Sequence, residues 1–361
     1  MQTVVYFAAV AALVAPSLAH TIPRIIRRDA GLKVELSQVH ATEVNAVMTN
    51  TGSESLKLLD YGTLMDKNPV QKLNVFKDGV EVGFTGVDMR YSMHGLTEDA
   101  FTTLEPGEAF MSVINIAALH DVAGGEYTVS TEGAIPYAAL DTTDIAGSIA
   151  YESNLLPLTL SDDDVAVVPR AVPILDKRTI LFGCFGREDA AQRESLGQLI
   201  NVAPLAAAAA RSGDPARFQE YFKTTDDAVR QNVAAKFDAI ASESSSTTSG
   251  STTYYCEDQF GYCSPNTLAY TLPSQNLIAN CPLFYNRLST LSTRCRAQDQ
   301  TTTILHEFTH APGVFGADST QDLAYGYAAA VQLTAQQAVR NADTYALFAN
   351  AVINNCSVLG S

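Results

Sequence analysis

The chain has 361 residues, 47% hydrophobic and 17% charged, a composition that can build a sizeable core and excludes a disordered, core-poor chain. Its 23 Lys and Arg against 39 Asp and Glu give a formal charge of −16, which argues against a protein that grips nucleic acid by neutralising phosphates. On a prior of roughly 150 residues per domain, the length fits two or three domains.

In chain order, residues 4–18 form an almost unbroken apolar run closed by Ser17-Leu18-Ala19. The small-x-small ending has the form of a signal-peptidase site, and about fifteen residues fall short of the roughly 20 needed to span a bilayer. Residues 1–19 therefore read as a signal peptide cut after Ala19, although no Lys or Arg precedes the apolar run. The protein is expected to be secreted, extracellular and free of membrane.

Strand patterns follow. Residues 32–40 alternate apolar and polar, residues 44–50 run into a Thr51-Gly52 turn, and residues 56–61 resume the pattern,. Residues 75–83 centre on the hairpin signal Asp78-Gly79, and residues 109–116 and 125–131 add two more strands,. Short strands at this spacing predict a β-rich, sandwich-like first half. Its histidines, His40, His94 and His120, are scattered singly and read as structural residues,.

After the acidic stretch Ser161-Asp162-Asp163-Asp164 comes the dibasic pair Lys177-Arg178, and all six cysteines lie beyond it: Cys184, Cys256, Cys263, Cys281, Cys295 and Cys356. Residues 20–178 carry a net charge of −11 and residues 179–361 only −5. An acidic, cysteine-free segment ending in a dibasic pair reads as a propeptide, 20–178, removed by a dibasic-specific processing protease from a mature domain, 179–361. The alternative is a surface linker that happens to contain Lys-Arg.

The second half reads mainly as helix. One helix covers about 187–211, another starts with Asp214 as N-cap and Pro215 at its first position,. A third runs over 225–241, where Ala228, Val229, Val233, Phe237 and Ile240 recur near helical spacing,. Residues 242–253 are Ser/Thr-rich and read as a surface loop, residues 254–282 as a small hairpin region, and helical patterns return from about 301. The fold class expected is α+β.

His306-Glu307-Phe308-Thr309-His310 is an HExxH motif. On a helix, residues four apart share a face, so both imidazoles can meet one metal ion while Glu307 sits beside the water it holds. Zinc lowers the pKa of such a water toward about 7, and Glu307 can take its proton as it attacks a carbonyl carbon. His306 and His310 are the only histidines after residue 178, and no Glu follows Glu307. A third His and a downstream Glu are thus excluded as the third ligand; if that ligand lies downstream it is Asp318, Asp322 or Asp343, with Cys356 better explained as half a disulfide. Asp322 has the best context: Thr320 can N-cap a helix over 321–331 that would return Asp322 to the metal. On that helix Tyr325, at i+3, would share the Asp322 face and could donate to the oxyanion of a tetrahedral intermediate.

With the HExxH, the segment Ser319-Thr320-Gln321-Asp322-Leu323-Ala324-Tyr325-Gly326 resembles the deuterolysins, fungal secreted zinc endopeptidases whose pattern is HExxH followed by Gly-Thr-x-Asp-x-x-Tyr-Gly. Only Ser319 departs, in place of the first Gly. The resemblance implies one Zn2+ held by His306, His310 and Asp322, Glu307 as catalytic acid/base and Tyr325 as a transition-state contact. It implies a zincin-type catalytic domain with three sequential disulfides, Cys184–Cys256, Cys263–Cys281 and Cys295–Cys356. Asp343 resembles an acid that the family places near the substrate pocket. The expected activity is a monomeric secreted endopeptidase, made as a zymogen, that digests proteins and peptides with a preference for basic ones such as histones and protamines. Its propeptide would serve as inhibitor or folding aid. The competing reading is a noncatalytic secreted effector or binding protein that keeps zinc only for its fold.

Overall fold

The computed structural model describes residues 31–173 and 181–358. Ala19, Lys177 and Arg178, and with them the expected signal-peptide and dibasic cuts, lie outside the described residues.

The first half opens with β1 (Leu32–His40) and β2 (Glu43–Asn50). Alternate residues of each are buried at their paired ends, as a strand with one face on a core requires,. Then come β3 (Leu56–Leu59), β4 (Asn74–Lys77), β5 (Val80–Glu81) and β6 (Asp88–Tyr91). The turn between β4 and β5 holds Asp78 and Gly79 at φ 53° and 77°, the left-handed pair that a tight hairpin needs,. After β7 (Phe101–Leu104) and β8 (Ala109–Asn115), the one-turn helix α1 (Ile116–Leu119) precedes β9 (Gly125–Ser130) and β10 (Glu132–Ala138). The half closes with β11 (Ile145–Glu152), β12 (Leu156–Leu160) and the short helix α2 (Asp162–Ala166).

Eleven of these twelve strands form three antiparallel sheets, ordered β1-β2-β8, β11-β10-β3-β7 and β12-β9-β4-β5. Val34, Met48, Leu58, Val75, Ile114, Val129 and Ile135 draw all three sheets onto one core. A two-sheet sandwich is therefore too simple a description.

The second half begins with β13 (Leu181–Phe182) and continues as α3 (Gly186–Ser212), α4 (Pro215–Phe222) and α5 (Asp227–Ser244). Asp214 and Asp226 cap α4 and α5 by accepting from the Ala216 and Val229 amides,. The Ser/Thr-rich stretch starts three residues later than expected because α5 runs on to Ser244, and the Glu243 carboxylate gathers the Ser251 and Thr252 amides. Next come β14 (Thr253–Tyr255), β15 (Thr267–Leu272), β16 (Leu277–Asn280) and α6 (Pro282–Arg287). The chain ends with α7 (Gln300–His310), α8 (Pro312–Phe315), α9 (Gly326–Ala330), α10 (Ala335–Ala338) and α11 (Ala342–Ile353). Leu199, Ala206, Phe218, Phe222, Phe237, Ile304, Tyr345 and Phe348 knit α3, α4, α5, α7 and α11 into a second core. Disulfides join Cys184 to Cys256, Cys263 to Cys281 and Cys295 to Cys356. No described helix is long and apolar enough to cross a membrane.

The β region expected inside the second half has an unexpected member. Its sheet runs β13-β14-β16-β15-β6, so its last strand comes from the first half. β6 pairs antiparallel with β15, setting Asp88 opposite Thr271, Met89 opposite Tyr270 and Arg90 opposite Ala269. All four β6 residues are buried.

Among the first-half histidines, His120 is fully buried against Phe84. Burial lowers its pKa to about 4, against an opposing contact with the Val82 backbone,. The folded chain therefore holds His120 neutral where the unfolded chain would protonate it, so stability is lost as pH falls from about 6.5 toward 4 and the loss levels off below that. At about 1.4 kcal/mol per unit, roughly 2 kcal/mol should disappear between pH 7 and pH 5. Urea unfolding at the two pH values should show that loss in the wild type, and His120→Leu should be smaller in its pH dependence by this amount; equal slopes would contradict the assignment.

Candidate metal centre and active site

α7 carries the HExxH segment, and every residue from Gln300 to His310 is buried. The Asp299 carboxylate caps the helix, accepting from the Thr302 amide at 2.7 Å and its hydroxyl at 2.9 Å,. The helical repeat puts His306 and His310 on one face with their Nε2 atoms 3.1 Å apart,.

The outer ring nitrogens are committed elsewhere. His306 Nδ1 faces Asp343 Oδ1 at 3.1 Å, and His310 Nδ1 faces the Thr320 carbonyl at 3.0 Å. Carboxylate and carbonyl oxygens only accept, so each neutral ring keeps its proton on Nδ1 and turns an Nε2 lone pair toward a common point. Asp322 Oδ1 lies 3.2 Å from His306 Nε2 and Oδ2 lies 3.4 Å from His310 Nε2. The three groups offer ligand atoms within 4.8 Å of one another. Both Asp322 oxygens are buried without a hydrogen-bond partner. Two lone pairs and a carboxylate converging in a dry interior repel one another unless a cation joins them, and this donor set suits Zn2+ with a position left for water or substrate. The electrostatics agree: burial would lower the His310 pKa, yet Asp322 and Asp88 raise it to about 10, so the surroundings favour positive charge at this point. Burial would likewise raise the Asp322 carboxyl, but His310 and His306 hold it well below the usual range.

Asp322 reaches this point by a different route from the helix expected over 321–331. Residues 319–325 are not helical, and the helix α9 starts only at Gly326. The amides that would have entered a helix bond to distant groups: Thr320 to the Thr309 carbonyl, Gln321 to the Arg340 carbonyl and Ala324 to the Asn341 side chain. These long-range bonds outcompete the local ones and pin Asp322 between α7 and the start of α11. Asp318 is not in the ligand group.

Glu307, next in sequence to His306, is fully buried. Its Oε2 accepts from the Thr271 hydroxyl of β15 at 2.6 Å, and Oε1 has no hydrogen-bond partner. Burial pushes its carboxyl pKa up, opposed by His306, His310 and the Thr271 bond,. Tyr325 does not share a helix face with Asp322. Its hydroxyl donates to the Met89 carbonyl of β6 at 2.6 Å, and its ring meets Tyr91 edge-on with centroids 5.7 Å apart. Gly62 of the first half lies so close that a Cβ there would stand 2.1 Å from the Tyr325 ring, which is why the position holds no side chain.

Asp343, in the first turn of α11, sits behind His306 and is buried. Beyond its contact with His306 Nδ1 it accepts from the Arg90 guanidinium and from the Gly326 amide at 2.6 Å. Burial would raise its carboxyl pKa, but Arg90 and His306 hold it at about 2.

The residues that sequence reasoning missed are Asp88 and Arg90. Asp88 Oδ2 lies 3.5 Å from His310 Nδ1, and Arg90 pairs with Asp343. Neither carries a sequence signal, because an Asp-Met-Arg-Tyr stretch has the alternation of any strand with one polar face. His40, His94, His120 and the described acids of the 161–173 tail do not join the metal ligands.

Residues 1–356 match the model of the deuterolysin metalloprotease (M35) family. The chain belongs to this family. Similar proteins include a neutral protease 2 homolog of Aspergillus terreus, 50% identical over 326 residues covering 90% of this chain and 92% of that one. Another, from Aspergillus oryzae, is 48% identical over 345 residues, 95% of this chain and 96% of its own. A third, from Arthroderma gypseum, is 45% identical and covers 99% of both chains. Among solved structures, a zinc peptidase from Grifola frondosa aligns at a TM-score of 0.38 with 22% identity, covering 46% of this chain and 97% of its own. The protein is thus a zinc metalloendopeptidase, in line with the His-His-Asp group.

Asp343 supplies the acceptor that fixes the tautomer and orientation of His306, so Asp343→Asn should lower the zinc affinity of the peptidase by about 10- to 100-fold. Competition with a chromogenic chelator measures this, and unchanged affinity would remove Asp343 from the support of the site.

Proposed function

We propose that this zinc peptidase is a secreted endopeptidase made as a zymogen, with 1–19 as signal peptide, 20–178 as propeptide and 179–361 as the working enzyme. In this reading a dibasic-specific protease cuts after Arg178, and the propeptide serves as inhibitor and folding aid. The mature enzyme acts outside the cell as a monomer on proteins and peptides.

The observation that carries the catalytic part is that Glu307 and the convergent donors of His306, His310 and Asp322 share one buried helix and its immediate neighbour. When bound, zinc supplies Lewis acidity toward a peptide carbonyl and makes a water acidic enough to be deprotonated near neutral pH. Glu307, steered by Thr271, takes that proton as the C–O bond forms and passes it to the departing amine as the C–N bond breaks. The Tyr325 hydroxyl donates to the developing oxyanion; its present hold on a peptide carbonyl, that of Met89, supports the role. Asp343 fixes His306 and, once free of Arg90, offers a buried negative charge to a basic side chain of the substrate. That charge, with the net −5 of the mature segment, supports a preference for basic proteins such as histones and protamines.

Glu307→Gln keeps the size of the side chain and leaves the metal ligands in place. Casein hydrolysis after maturation should fall about 100- to 10,000-fold, while zinc measured in the same sample stays at one per chain. Full activity in the variant would sink the mechanism.

A further inference from the structure

We infer that residues 88–91 of the first half occupy the substrate's own place, with Met89–Arg90 standing where the scissile bond of a peptide would lie. This rests on the zinc-peptidase and zymogen reading above and deepens it by naming the blocking segment and its partner surface.

Several observations converge on one short strand. β6 adds to β15 as an extended antiparallel strand, the mode in which sheet edges capture peptides,. β15 is also the strand that holds the catalytic Glu307 through Thr271, and Thr271 pairs with Asp88, so a peptide on this edge passes directly before the metal ligands. The carbonyl of Met89 accepts from Tyr325, the group assigned to the oxyanion. The next side chain, Arg90, is 2% exposed and ends on Asp343. A cavity of about 290 Å3 lined by Arg90, Met93, Gln298, Tyr325, Asp343 and Leu347 continues from that pair. Carbonyl on the oxyanion donor and following side chain on a buried carboxylate are what a peptide with a basic residue just after the cut would present.

The strand is held from outside as well. Gln298 donates to the Tyr91 carbonyl at 2.9 Å, and the Tyr91 hydroxyl donates to Asp66 at 2.6 Å while its ring stacks on Tyr61. Val87, Met89 and Tyr91 pack with Tyr270, Leu272 and Ala279 of the sheet. Val172, six residues before Arg178, joins the same apolar cluster, but the strand's hydrogen bonds to β15, Tyr325, Asp343 and Gln298 come from elsewhere, so cutting after Arg178 leaves the block in place, and the first half persists as a noncovalent competitive inhibitor until it is itself removed.

The test uses the full-length precursor, cut after Arg178, and a short reporter peptide. Wild type should elute as a two-chain complex with little activity, and Arg90→Gln should raise the activity of the cut precursor by at least about 30-fold, as loss of one partner of a buried charge pair implies. Arg90→Lys, which keeps the charge, should stay closer to wild type. Because Arg90→Gln could also unfold the first half, a synthetic peptide spanning residues 86–92 is added to the fully matured enzyme. It should raise the KM of the reporter with kcat unchanged, and its Arg→Gln counterpart should not. Equal activity of the three cut precursors, noncompetitive or absent inhibition by the peptide, or prompt cleavage at Met89–Arg90 would overturn the inference while leaving an active zinc peptidase. An inactive mature enzyme would instead overturn the reading on which it rests.

Discussion

Three electron-rich groups, two imidazole nitrogens and a carboxylate, are forced together out of contact with water, and most of the second half serves to make that tolerable. Converging donors repel, and each would be solvated separately in an unfolded chain. Holding them needs a scaffold that spends other polar groups on their outer sides. Asp343 and the Thr320 carbonyl take the two Nδ1 protons, Thr271 takes Glu307, and Asp299 caps the helix from which the histidines project. The apolar shell of Phe237, Ile304, Tyr345 and Phe348 then keeps α7 dry. A cation is the one ligand that turns this arrangement from a cost into a gain.

The same logic explains why the two halves are hard to separate in space although they differ in composition. Each has its own hydrophobic core, yet the second half's sheet ends in a strand from the first, and Arg90 neutralises an acid that would otherwise lie buried and half-satisfied. Around this seam, Arg340 bridges Glu81 and Glu132, and the Ala134 amide donates to the Leu323 carbonyl beside Asp322. The first half therefore touches the loop that carries Asp322 as well as the sheet edge.

How much was legible depended on the range of the interaction involved. The pairing of His306 with His310 follows from helix periodicity, a property of five consecutive residues. Elimination narrowed a downstream third ligand to Asp318, Asp322 or Asp343, and Asp322 was preferred for a helix that does not form: amides that looked ready for a helix are held by Thr309, Arg340 and Asn341, all remote or on other elements. Tyr325 shows the same failure: it precedes the helix that starts at Gly326 and so does not share a helix face with Asp322. The individual strands of the first half were largely visible, because alternation is local, while their division into three sheets around one core was not.

The sequence by itself determined which groups are available for chemistry: the His306–His310 pair, Glu307 beside it, the few downstream acids and the division of cysteines and charge between the two halves, all of which depend on residue identity and near-neighbour spacing. Tertiary structure alone decided who stands against that chemistry. Asp88 and Arg90 are ordinary charged residues on an ordinary strand until β6 pairs with β15, some 180 residues away, and nothing local distinguishes a strand that completes its own sheet from one that completes another. Pairing across that distance is set by the complementarity of whole surfaces, a sheet edge, a buried carboxylate and a tyrosine hydroxyl, which no window of sequence contains.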